Sequence, residues 1–190
     1  VGRAVACIKH KAHGYVFIDG DFPIERRDLR PFVAALKHVD LALNDLDKII
    51  PLSRRADPVS IVKRFLNVAL DRPDLGIASL TAVPHALRAR VIETINPLSL
   101  AVPPVALVKA VLSGFNVKAV HPVNVVKSNR RRYRLHSRKR GKLLERLILG
   151  DHFEAICFLQ KERGSRVFFP DKVRKREWAC HWKRLTKLNG

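Results

Sequence analysis

At 190 residues the chain is long enough for one domain with extensions or for two small domains. Its hydrophobic fraction of 47% excludes a wholly disordered polymer, and 37 Lys plus Arg against 17 Asp plus Glu leave a net charge of +20. The longest uncharged apolar stretches, Leu75 to Leu87 and Pro97 to Val108, are too short for a spanning helix and both contain proline, which excludes a transmembrane segment from the reading.

In chain order, Ala4 to Ile18 reads as a β-hairpin, two β-branched or aromatic runs about the turn Lys9 to Gly14, where glycine supplies the backbone freedom a tight loop needs. The motif Lys11-Ala-His-Gly-Tyr-Val-Phe-Ile18 resembles the aromatic-bearing strand of cold-shock domains, and that resemblance implies His13, Tyr15 and Phe17 as base-stacking residues. The plainer reading of the same residues is the alternating faces of a small sheet.

Leu29, Phe32, Leu36, Val39, Leu43, Leu46 and Ile50 step by 3 and 4 and share one helical seam, which predicts a helix from Pro31 to Ile50 packed within an intramolecular bundle. Asp57-Pro58 is a cap followed by a first-turn proline and opens a second helix that closes before Pro73. Pro84 opens a third, ended by Asn96-Pro97, and Pro104 a fourth, ended at Gly114. Val117 to Val126 reads as extended, Lys142 to Leu149 as a short helix stopped by Gly150, and Glu154 to Phe169 as a second hairpin, with Cys157 and Gly164 spaced like Cys7 and Gly14.

Charge is distributed unevenly, net +6 over residues 1–126 and net +14 over 127–190. The run Lys127 to Lys142 holds Lys127, Arg130, Arg131, Arg132, Arg134, Arg138, Lys139, Arg140 and Lys142, with no acidic residue and with Tyr133 and His136 interleaved as stacking faces. Arginine predominates, and its planar guanidinium pairs bidentately with phosphate. So dense a run of like charge buries too little apolar surface to order alone, and a bound polyanion is the partner that would order it. The C-terminal tail adds Arg174, Lys175, Arg176, Lys183 and Arg184, together with Trp178 and Trp182, which read as anchors onto an apolar surface or as stacking rings.

Signals for catalysis are weak. Asp19 and Asp21 flank a turn glycine, Asp40, Asp45 and Asp47 read as solubilising residues on the outside of the seam helix, and neither Cys180-His181 nor His152 with Cys157 converges on a substrate. Gly-rich phosphate loops, serine elbows and paired metal-binding histidines are missing from the sequence, so no catalytic residue, metal or cofactor is assigned. Three widely spaced cysteines, Cys7, Cys157 and Cys180, suit a reducing compartment. The chain contains no methionine and starts at Val1, which reads as removal of the initiator with an organellar transit peptide.

The expected fold is α+β and mainly helical: a small bundle of about four helices with one or two β-hairpins and basic extensions. Its expected parts are an N-terminal hairpin segment (1–25), a helical body (26–116), a basic RNA-binding segment with a short helix (117–150), and a hairpin with a basic tail (151–190). The expected function is a structural protein that binds rRNA in an organellar ribosome, in the mitochondrial matrix, with neighbouring proteins of that assembly as further partners. The alternatives are an accessory subunit of a mitochondrial membrane complex with its basic tail on lipid, or an RNA-processing factor.

Overall fold

The computed structural model describes residues 12–20, 23–54, 56–125 and 138–170. Among them are four strands, β1 (Gly14–Phe17), β2 (Leu41–Asn44), β3 (His85–Arg88) and β4 (Val117–His121). Five helices accompany them: α1 (Arg26–Ala35), α2 (Pro58–Ala69), α3 (Ala89–Ile95), α4 (Pro103–Leu112) and α5 (Arg138–Arg163). The strands form one mixed sheet in the order β1-β3-β2-β4, antiparallel except for the parallel pair β2 and β4. The chain is α+β and mainly helical, as its sequence indicates.

Alternation along the strands divides the core into two faces. Leu41, Leu43, Leu87 and Val117 point towards Leu75 to Leu80, α3 and α4, while Ala42 and Ala86 point towards Phe32 on α1. A further apolar layer joins α2, α4 and α5 through Leu66, Ala69, Val108, Ala155 and Leu159.

Local chemistry explains the elements that follow their sequence signals. The Asp57 carboxylate accepts from the Val59 and Ser60 N–H groups, each at 3.1 Å, which caps α2 ahead of its first-turn proline. Helix α4 starts one residue before Pro104 and turns out at Gly114, whose φ of +78° lies in the left-handed region. Strand β4 falls within the stretch read as extended.

Four readings are corrected. The seam helix from Pro31 to Ile50 is instead α1 followed by β2. All four residues of β2 are buried, flanked by strands on both sides, so an apolar run satisfies its backbone in the sheet and imitates helical spacing by chance. Pro84 does not open a helix: its peptide bond is cis, His85–Arg88 that follows pairs with β1 and β2, and the helix begins at Ala89. The helix from Lys142 does not stop at Gly150. That glycine sits exposed within α5, with open space where a Cβ would stand, and α5 runs on to Gly164, whose φ is +85° and whose N–H donates to the Gln160 carbonyl at 2.8 Å. The second hairpin is therefore absent, because Ala155 and Leu159, one helical turn apart, both bury against α2 and α4.

The N-terminal hairpin is described only in its second strand, residues 1–11 lying outside the described part. That strand, β1, pairs with β3, some seventy residues away in sequence (Gly14 with Arg88). Asp40 is not a solubilising surface residue either, being buried at the start of β2.

Candidate nucleic-acid interface

Helix α1 has two chemically distinct sides. Phe32 is fully buried against the sheet, whereas Arg26, Arg30, Val33 and Lys37, spaced by 4, 3 and 4, are exposed along one face of the helix and the turn that ends it. Arg26, Arg30 and Lys37 make no ion pair with any described residue. Arg27, off that face, is held by Glu25 at 2.9 Å.

This face runs into an open groove of about 850 Å³ between the end of α1, β1 and the start of α3. Val33, Leu36 and Lys37 form one wall, His13, Gly14 and Val16 another, and Arg88 and Arg90 contribute guanidinium groups. Among the described residues that line it, Glu93 is the sole carboxylate.

Asp40 fixes the two arginines. Arg90 Nε and Nη2 donate to its Oδ1 at 3.0 and 2.6 Å, the Asn116 N–H donates to Oδ2 at 3.0 Å, and Arg88 Nη1 lies 3.8 Å from Oδ1. Burial works to raise the Asp40 pKa. The hydrogen bonds from Arg90 and Asn116 and the two guanidinium charges outweigh it, and the carboxyl is held below its usual value. Arg88 also donates to the Leu36 and Lys37 carbonyls, closing the end of α1. Two guanidinium groups thus share one carboxylate, leaving a net positive charge in a fixed position beside three cations that no described residue pairs. Such a surface can take several phosphates of a polyanion without reading bases.

A second basic region lies at the start of α5. Lys142 and Arg146 are exposed one turn apart, next to the exposed side chains of Leu143, Leu144 and Leu147. Arg138, Lys139 and Arg140 occupy the first turn of the helix. The other residues singled out in the sequence, Lys127, Arg130, Arg131, Arg132, Tyr133, Arg134 and His136, and Arg174, Lys175, Arg176, Lys183 and Arg184 with Trp178 and Trp182, lie outside the described residues.

Base stacking on β1 is overturned at Phe17. That ring is buried and stacks on His85, centroids 5.1 Å apart, while Tyr15 packs against the core beneath the sheet. His13 remains exposed at the groove. Asp45 pairs with Lys48 at 2.9 Å, and Asp47 Oδ2 lies over Gly76 and accepts from the Ile77 N–H at 3.3 Å. The buried His152 and the exposed Cys157 do not form a site.

Sequence reasoning passed over Arg26, Arg30, Lys37, Arg88 and Arg90. The helical spacing of the first three was visible; the convergence of Arg88 and Arg90 on Asp40 was not, because fifty residues separate Arg90 from its partner. Among the described residues no three His, Cys, Asp or Glu side chains gather as a metal site, and no helix is long and apolar enough to cross a membrane. Compared with protein-family models, curated proteins and solved structures, the chain matches none.

Proposed function

We propose that the chain is a structural RNA-binding protein whose setting is a large rRNA-containing assembly such as an organellar ribosome. The observation that carries this reading is the alignment of Arg26, Arg30 and Lys37, without acidic partners among the described residues, along α1 and into the groove holding Arg88 and Arg90. The arginine-dense run ahead of α5 adds to it, since Lys142 and Arg146 extend the same basic character onto the exposed side of a packed helix. Phosphate neutralisation with release of counterions would supply affinity with little base readout, and the packed body would present its remaining faces to neighbouring proteins.

Binding of structured RNA over a salt series tests this. The logarithm of the association constant should fall linearly with the logarithm of salt concentration, by roughly 0.7 to 0.9 for each phosphate neutralised. Neutral residues at Arg130, Arg131, Arg132 and Arg134 should weaken binding to all structured RNAs alike. An affinity indifferent to salt, or one retained only for anionic vesicles after nuclease treatment, overturns the reading.

A further inference from the structure

A cavity of about 1040 Å³ shares no lining residue with the groove on the basic face. It opens between the start of α2, the turns after β2 and the first half of α5. Val59, Ile77, Leu147 and Ile148 are among its apolar walls, and Lys63 lines it from the second turn of α2. Lys63 has only 8% of its surface exposed, yet it has no hydrogen bond or ion pair with any described residue. A lysine so enclosed is ordinarily paired.

None of the other charged residues around the cavity forms an ion pair with Lys63. Asp57 uses its carboxylate to cap α2, accepting from Val59 and Ser60. Asp151 also lines the cavity, and burial with the nearby Glu154 pushes its pKa up. Asp19 and Arg54, one residue of each sign, also line it. Burial pulls the Lys63 pKa down to about 8, with the Asp57 charge acting the other way, so the amine is still largely protonated at neutral pH. An enclosed ammonium beneath aliphatic walls lacks only an anion that brings its own apolar body.

We propose that this cavity binds an aliphatic carboxylate, its chain against Val59, Ile77, Leu147 and Ile148 and its carboxylate on Lys63 Nζ. The site is independent of the basic face on α1. Its ligand would neutralise the one enclosed cation of α2 and fill the space between α2 and α5.

Titration calorimetry on the full chain with decanoate, below its micelle concentration, tests the assignment. Decanoate should bind at a single site, and Lys63→Met, which keeps the aliphatic stem without the charge, should weaken it by about tenfold or more. Leu147→Glu, at a wall position 60% exposed and therefore not needed for folding, should weaken it as well. Decylamine should bind less tightly than decanoate. The proposal is overturned if decanoate fails to bind the natural chain, if Lys63→Met binds it equally well, or if decylamine binds more tightly, which would give the site to Asp57 and Asp151.

Discussion

Asn44 and His152 show how single polar groups are accommodated inside this core. The Asn44 amide donates to the Val83 and Val123 carbonyls at 2.8 and 3.0 Å, and its oxygen accepts from the Val123 N–H at 2.9 Å, joining the end of β2 to the loop before β3 and the chain leaving β4. Asn44→Ala strands three buried backbone groups and should cost about 2 to 3 kcal/mol, read as a lower urea midpoint. His152 is fully buried, and its Nδ1 lies 2.7 Å from the Ile148 carbonyl, which makes that nitrogen the donor and leaves Nε2 to accept from the Ser79 hydroxyl at 3.4 Å. Burial, with the charge of Lys63, lowers its pKa to about 4 against the opposing pull of the Ile148 bond. The unfolded chain takes up the proton near the ordinary value of 6.5, the folded chain only near 4. Stability should therefore be complete above pH 6.5 and decline by about 3 kcal/mol as pH falls to 4. Melting over that range should show the decline in the natural chain and a much flatter profile in His152→Gln. Neither role was legible beforehand, because Val83 and Val123 lie 39 and 79 residues from Asn44 and Ser79 lies 73 residues from His152.

Among the elements, α2 and α4 were legible because capping chemistry is local: Asp57-Pro58 and Gly114 each act within one turn. The stretch from Pro31 to Ile50 was not, because α1 and a central strand placed end to end produce the same intervals as one long helix, and only pairing with β3 and β4 distinguishes them. Residues 154–159 were misread for the converse reason: Ala155 to Leu159 is an apolar run, but Ala155 and Leu159 are buried while Cys157 between them is exposed, as on one turn of a helix. On α1 the buried side depends on Phe32 and the exposed side on Arg30 and Lys37, so the two sides can be changed separately. Arg30→Glu with Lys37→Glu should leave the melting temperature within a degree or two, as exposed substitutions do, and should reduce both RNA affinity and the slope of its salt dependence. Filter binding at two salt concentrations distinguishes that outcome from a loss of fold.

For the whole molecule, the dominant quantity is the net charge of +20, carried by a domain with only a few internal ion pairs among its described residues. Salt should then act with opposite signs on two measurements. Raising it without RNA screens self-repulsion and should increase the melting temperature, while the same addition weakens RNA binding. A melting temperature that falls with salt would mean that attraction between the chain's own charges outweighs repulsion. The α+β class was legible from composition and segment pattern, whereas the order β1-β3-β2-β4 was not, since no local signal fixes which distant strands pair.

That strand order also governs how the protein is made. Leu41–Asn44 is one of the two inner strands of the sheet, yet both of its neighbours, His85–Arg88 and Val117–His121, are translated after it. A nascent chain must therefore carry Leu41 and Leu43 with neither edge of their strand paired until residue 88 has cleared the exit tunnel, and with one edge bare until residue 121 has, a template for aggregation throughout.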